Sequence, residues 1–331
     1  HKETKKFEEI FKKITNTKYA ICMPNGTLTL LAILLTLRLK KNDVVLVPSY
    51  TMVATANAVK LAGGRVEFVD ISEQNLCMCP KDLEKKLKKF KTTKAIIYVT
   101  LNGRSGYIEN IKKVCSLNKI KLIEDSAHSL GSYYNKKHHG SFGYASSFSF
   151  SMPKIITTGQ GGMICTNNKE LNREILYLKN FGRKSDGSDD YKNIGFNFKF
   201  TDLQAVLGQS QILNLKQKIK KKKFIIDLYI RYLNKNKNLI IKKFDKNETP
   251  WFMDIYVKKN RQKLINYLKL KKIKIRKVYP SLHNLNFYKK KYKLLNAELY
   301  CKIGLWLPTS LNLQNKQIKY ICDKINEFKY D

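Results

Sequence analysis

The most constraining feature of this chain is an alternation. Between residues 20 and 125, short apolar runs take turns with stretches of helical periodicity. Residues 20–23, 44–47, 66–69, 95–100 and 121–124 are too short for helices and carry few polar breaks, so they read as strands covered on both faces. Residues 28–39, 51–62, 82–90 and 109–118 read as the helices between them. This order predicts an α/β fold built on a large, mostly parallel sheet with helices on both sides. In such sheets ligands settle outside the carboxyl ends of the strands. Pro48, Asp70 and Asp125 stand at such ends.

The chain has 331 residues, room for more than this one sheet. Residues 201–234 read as one long helix capped by Thr201 and Asp202. Beyond it, 255–257, 261–270 and 273–278 read as a small α+β unit. The expected division is a large domain over 1–213 and a small C-terminal domain over 214–331, beginning within the long helix. The longest strongly apolar run, 28–37, stops at Arg38, about half of the ~20 residues a membrane helix needs, so no membrane span is expected. The polar opening, residues 1–6, predicts no secretory signal. The 7 cysteines are odd in number and scattered, and Cys77 and Cys79 lack a second pair or a nearby His. Free thiols in a reducing cytoplasm are expected, with neither a disulfide framework nor a zinc or other metal site.

Lys and Arg total 64 against 26 Asp and Glu, a formal net charge of +38. Such a field attracts polyanions. The excess is nearly all lysine in a chain also rich in Asn and Ile, which reads as codon bias. The densest run, 216–223, contains no aromatic residue and lies on a helical pattern, so a solvated face is expected there and nucleic acid is not an expected partner.

Four local features carry chemistry. Asn25-Gly26-Thr27 marks a strand-to-helix turn, the geometry that offers backbone amides to an anion. Glu124-Asp125 closes a strand and leads into Ser126-Ala127-His128. Phe148-Ser149-Phe150 precedes Lys154 and a glycine-rich turn at 157–162. Gly195-Phe196-Asn197-Phe198 precedes the long helix. Each is weak alone. In this order they fit pyridoxal 5′-phosphate, which needs a lysine for a Schiff base, a carboxylate for the pyridinium nitrogen and a cradle for phosphate. Lys154 would supply the first, Asp125 the second, and Gly26, Thr27 and Ser149 the third.

On these motifs the chain resembles the DegT/DnrJ/EryC1/StrS sugar aminotransferases. The resemblance extends to residues 48–63 with 66–70, to 124–131 (EDSAHSLG), to 148–162, to 193–211 and to Tyr279–His283 (YPSLH). It implies a fold-type I enzyme dependent on pyridoxal 5′-phosphate, with pyridoxamine phosphate as the intermediate form. It also implies residue roles: Lys154 as the Schiff-base lysine and proton carrier, Asp125 at the ring nitrogen, and His128 near the ring and its phenolic oxygen. Gly26, Thr27 and Ser149 would bind phosphate, and Asn197 would reach the phosphate held by a partner subunit, making a homodimer with shared sites. Met52 stands where the family often stacks an aromatic on the ring. Gln160 replaces a common Glu, and Lys199 replaces an Arg and loses its planar fork. Tyr50, Lys199, Arg276 and His283 are the expected substrate residues. The family's first strand and loop do not precede the helix beginning near Phe7, so a trimmed chain is expected.

The implied reaction is a cytoplasmic transamination from L-glutamate to a nucleotide-linked 4-keto-6-deoxy sugar, giving a 4-amino-4,6-dideoxy sugar nucleotide. Pro250-Trp251-Phe252 and residues 275–283 resemble the perosamine and viosamine branch. Alternatives are amination of a 3-keto sugar, and dehydration; the family's C3 dehydratases carry His in place of the lysine, which Lys154 opposes. A non-catalytic polyanion binder on this fold is a further alternative, motivated by the charge and opposed by the Lys154, Asp125 and Ser149 set.

Overall fold

The structure is a computed structural model describing residues 1–185 and 187–330. Each of the five short apolar runs expected as strands becomes one: β1 (Tyr19–Met23), β2 (Val44–Pro48), β3 (Arg65–Val69), β4 (Thr93–Val99) and β5 (Lys121–Asp125). Helix α1 (Lys2–Thr15) leads in, and α2 (Gly26–Thr36), α3 (Val53–Leu61), α4 (Pro80–Lys89) and α5 (Ile108–Leu117) lie between the strands. A two-stranded hairpin, β6 (Tyr133–Tyr134) and β7 (Lys137–His138), follows. Then come β8 (Ala145–Ser149), β9 (Gly162–Thr166) and α6 (Lys169–Lys179).

The large sheet has the order β1-β9-β8-β5-β4-β2-β3. From β3 to β8 each neighbour is parallel, and β9 is antiparallel to both β8 and β1. The exception has a local cause. Parallel neighbours need a long crossover, usually a helix, but residues 150–161 return the chain without one. That irregular return carries Lys154.

Two expected helices differ in the structure. The helix expected over 28–39 stops at Leu37, because Arg38 turns into the left-handed region at φ 51°. The helix expected over 201–234 is two: α7 (Asp202–Leu213) and α8 (Leu215–Leu233). Asn214, at φ −97° and ψ 8°, caps the first and begins the second. Asparagine favours such breaks because its amide competes with the helix for backbone bonds. Thr201 and Gln204 form the reciprocal capping box that starts α7.

After Asn214 a second sheet forms from β10 (Leu239–Ile240), β11 (Met253–Val257), β12 (Arg276–Lys277) and β13 (Gly304–Leu307), ordered β10-β11-β13-β12 and antiparallel throughout. The strand expected over 273–278 pairs only at Arg276–Lys277, an exposed edge. Helices α9 (Arg261–Leu270), α10 (Leu295–Ile303) and α11 (Asn315–Glu327) complete the chain. Ile225, Ile255, Leu264, Leu305 and Ile321 form part of a separate apolar core here. Trp251, Tyr279, Leu282 and Trp306 instead join the core of the large sheet.

The loop after β4 ties the two sheets together. Arg104 forks onto both Asp254 carboxylate oxygens at 2.8 Å, and both side chains are fully buried. Gly103 must be glycine, since a Cβ there would lie 2.0 Å from the Thr249 carbonyl oxygen. Among the described residues no helix is long and apolar enough to cross a membrane.

Candidate active site

Asn25 builds one wall of a cleft at the carboxyl ends of the strands. Its Oδ1 accepts the Leu28 amide at 2.9 Å, and its carbonyl accepts the Thr29 amide at 3.1 Å. The capping uses the third amide of α2 and leaves those of Gly26 and Thr27 at the open end of the helix. Gly26 is required there: a Cβ would approach the Cβ of Ser149 to 2.8 Å. Helix terminus and serine hydroxyl therefore meet with a bare backbone between them.

Asp125 ends β5 on the cleft floor, 7% exposed. Its Oδ2 accepts the Thr55 hydroxyl at 2.8 Å and its Oδ1 the Ala127 amide at 3.3 Å. Burial raises its pKa, against the pull of these donors and of Lys154. Lys154 lies in the return loop, its own amide bonded to the Ser151 carbonyl at 3.0 Å. Burial lowers its amine to about 7, with Asp125 acting the other way. Its Nζ sits 3.9 Å from the centroid of the Trp251 ring. His128 stacks on the same indole, with ring centroids 3.9 Å apart at 26°. His128 Nδ1 accepts the Asn102 amide at 3.2 Å. Burial and then the Lys154 charge hold its pKa well below the usual histidine range. The imidazole is thus neutral, with its proton on Nε2.

These groups line a single cleft of about 590 Å³, within the range of small-molecule sites. Gly26, Thr27, Met52, Asp125, His128, Ser149, Lys154 and Arg276 are all on its walls. Four of the sequence-selected residues are not. Tyr50 is buried behind it, 3.3 Å from the Tyr256 hydroxyl. His283 is 0% exposed, its Nδ1 2.7 Å from Ser49 Oγ and its Nε2 3.0 Å from Glu298 Oε1. Asn197 is exposed on the segment before α7, and Lys199 lines a separate hollow with its Nζ 4.3 Å from the Phe181 centroid.

The sequence analysis did not select Thr55, Asn102, Trp251 or Tyr279 as site residues. Thr55 lies in the first turn of α3, and its hydroxyl also meets that of Thr51, just before the helix, at 3.2 Å. Trp251 was noted only within the resemblance of residues 250–252 and Asn102 carries no local signal; tertiary packing brings residues 102, 128, 154 and 251 together.

The donor set fits pyridoxal 5′-phosphate. A lysine amine lowered towards neutrality and a buried carboxylate with unused acceptor capacity face one space. A glycine-bared helix terminus beside a serine suits a phosphate.

The comparisons agree. Residues 1–326 match the model of the DegT/DnrJ/EryC1/StrS aminotransferase family. The chain is 35% identical over 329 residues to the GDP-perosamine synthase of Escherichia coli O157:H7, covering 98% of this chain and 90% of that one. It is 31% identical over 338 residues to a UDP-4-amino-4,6-dideoxy-N-acetyl-beta-L-altrosamine transaminase of Campylobacter jejuni, covering 98% and 89%. Among solved structures, the PseC aminotransferase of Helicobacter pylori, involved in the biosynthesis of pseudoaminic acid, superposes with a TM-score of 0.93 at 25% identity, covering 98% and 90%.

Proposed function

The chain belongs to the DegT/DnrJ/EryC1/StrS aminotransferase family, and from that premise we propose that this pyridoxal phosphate-dependent transaminase moves an amino group from L-glutamate to C4 of a nucleotide-linked 4-keto-6-deoxy sugar. The observation that carries the reading is the convergence of Lys154, Asp125 and the bare N-terminus of α2 on one cleft. The likeness to GDP-perosamine synthase over nearly the whole chain makes a GDP-linked sugar the first substrate to test.

When bound, the cofactor supplies a carbonyl that exchanges for an amine and an electron-poor ring that accepts the electron pair of a breaking C–H bond. The chain's residues do the rest. Gly26 and Thr27 amides, the Thr27 hydroxyl and Ser149 Oγ would hold the phosphate. Asp125, ionised, would keep a proton on the ring nitrogen; Thr55 orients that carboxylate. His128, with its proton on Nε2, would donate to the phenolic oxygen, and the Met52 thioether would pack against the ring. Lys154 Nζ, near neutrality in both protonation states, takes and returns the proton at the reacting carbons. Arg276 stands where an anionic group of either substrate enters.

The reading includes a homodimer. Asn197 and Lys199 lie outside their own chain's cleft, and the helix that follows them, α7, exposes apolar side chains: Leu203 is 83%, Val206 51% and Leu207 43% exposed. A second copy covering this face would bring its Asn197 and Lys199 to the cleft. A cytoplasmic setting fits seven unpaired thiols.

Mass spectrometry of products from a panel of GDP-, UDP- and dTDP-4-keto-6-deoxy sugars, each with glutamate, tests the reading. Conversion of one carbonyl to an amine is the expected result. Loss of a sugar hydroxyl without nitrogen gain would replace it with dehydration.

A further inference from the structure

Trp251 and Tyr279 are aromatic side chains on the cleft wall that take no part in the chemistry above. Trp251 comes from the segment that enters the second sheet, yet it is buried against Lys154 and His128. The reaction just proposed frees the Lys154 amine once per cycle, when the amino donor enters, and leaves it free through the proton transfers of both half-reactions until the product amine departs. A freed lysine on an irregular loop has several rotatable bonds and a cleft mouth open to water. Something must keep it within reach of the reacting carbons.

We propose that the indole face of Trp251 is the seat of the freed Lys154 amine, making Trp251 a positioning residue for the proton transfers. Three observations carry this. Nζ lies 3.9 Å from the ring centroid, within the range where the negative face of an indole attracts an ammonium. The same indole donates its Nε1 proton to the Pro153 carbonyl at 2.7 Å, so it fixes the backbone immediately before the lysine as well as its tip. The ring itself is held on both sides. His128 stacks on it, and Asn102 clamps its backbone: the Asn102 carbonyl accepts the Trp251 amide at 3.2 Å. Asn102 Oδ1 accepts the Phe252 amide at 2.6 Å, and Nδ2 donates to the Phe252 carbonyl at 2.8 Å. The clamp needs Asn102 in the left-handed region (φ 57°), which asparagine tolerates better than most residues. Asn102 thus sets both the tautomer of His128 and the place of Trp251.

Charges around the amine are Asp125, which favours its ammonium form, and His128, held neutral; Arg276 and Tyr279 share the cleft wall. The indole face acts in the same direction as Asp125. It therefore opposes the lowering caused by burial. Removing the face should lower the amine's pKa further and also loosen its position.

The proposal rests on the assignment of Lys154 as the cofactor lysine, and its test separates the two. Enzyme converted to the amine form of its cofactor is treated with limiting acetic anhydride across a pH series, and Lys154 acetylation is quantified by mass spectrometry. Trp251→Leu is expected to move the midpoint of Lys154 labelling down by about 0.5–1 pH unit and to cut kcat roughly 10–100-fold. Trp251→Phe keeps a ring face and loses the Pro153 bond; it should retain most of the midpoint and lose less than about 5-fold in kcat. An unchanged midpoint in Trp251→Leu, or a Phe variant as impaired as the Leu variant, overturns the seat. Should the Leu variant fail to fold, Trp251→Phe and Trp251→Tyr decide alone, since both must keep the wild-type midpoint within about 0.3 units. Failure of the lysine assignment appears elsewhere, as visible cofactor absorbance persisting in Lys154→Ala.

Discussion

Two carboxylates one residue apart, Glu124 and Asp125, end the same strand and serve opposite regions. Side chains alternate along a strand, so Glu124 points into the packing beneath the sheet and Asp125 into the cleft. Burial raises the pKa of both. The difference is in what they bind. Glu124 takes the Gly140 amide on Oε2 at 2.7 Å, and the Phe142 and Gly143 amides on Oε1 at 2.6 and 2.8 Å. Asp125 takes one hydroxyl and one long amide bond. A carboxylate offers about four acceptor positions. Glu124 spends nearly all of its capacity organising the 138–143 loop, and Asp125 keeps half for a ligand. A buried charge whose partners are all supplied by the chain marks structure. One left partly unmet marks a site.

The largest effects should come from the cleft side. Lys154→Ala removes the amine on which the proposed chemistry depends. Turnover should fall by at least about 10⁴-fold, with loss of the visible absorbance of the bound cofactor, read by spectrophotometry and a product assay. Asp125→Asn keeps one acceptor oxygen, for the Ala127 amide, and turns an NH₂ to the Thr55 hydroxyl, which can rotate to accept it; the charge is lost. It should still bind the cofactor while turning over roughly 10²–10³-fold more slowly. Near-normal rates in Asp125→Asn would break the contrast drawn here, because the floor carboxylate would then be no more functional than its neighbour.

How much of this was legible beforehand follows the range of the interactions. The strands β1 to β5 were visible because continuous apolar runs are local. Gly26, Asp125, Ser149 and Lys154 were visible because each sits at a strand end or turn with its chemistry beside it. All four line one cleft. Tyr50 and His283 were expected at the substrate from the resemblance alone, but their environment is tertiary: one meets Tyr256 and the other is enclosed by Ser49 and Glu298. No periodicity could have announced that. The break at Asn214 was hidden for a different reason, since both flanking helices keep helical spacing across it. Trp251 lies nearly a hundred positions from Lys154, and only the Arg104–Asp254 junction and the Asn102 clamp bring them together.

The cleft should also be the region that destabilises the fold. In the unfolded chain a lysine titrates near 10.4, whereas burial brings Lys154 down to about 7. Between these values the unfolded state holds more protons, so the stability of the cofactor-free protein rises with pH through that window. Below about 7 the penalty is fully present. Lys154→Met should therefore raise the thermal midpoint at pH 6–7, corresponding to about 2–3 kcal/mol after allowing for water at the cleft mouth. The gain should shrink to nothing by about pH 10. Differential scanning fluorimetry of the two cofactor-free proteins from pH 6 to 10 reads the convergence; a constant offset would show that the lysine is not strained by burial.

Glu124→Gln probes the other side of the strand. The substituted amide keeps one oxygen, enough for the Phe142 and Gly143 amides, but turns an NH₂ towards the Gly140 amide. Two donors then face each other in a buried place. The cost should be about 1–2 kcal/mol, the usual range for one unsatisfied buried donor. That corresponds to a fall of about 1.5–3 °C in thermal midpoint for a chain of this size. Turnover at a temperature where both proteins are folded should stay within about 2-fold, because no cofactor contact is lost. The contrast with Asp125→Asn is the point of the pair: the same chemical change, one residue along, trades loss of rate for loss of stability. If Glu124→Gln instead slowed turnover by 10²-fold or more at unchanged stability, the two faces of the strand would have exchanged the roles assigned to them.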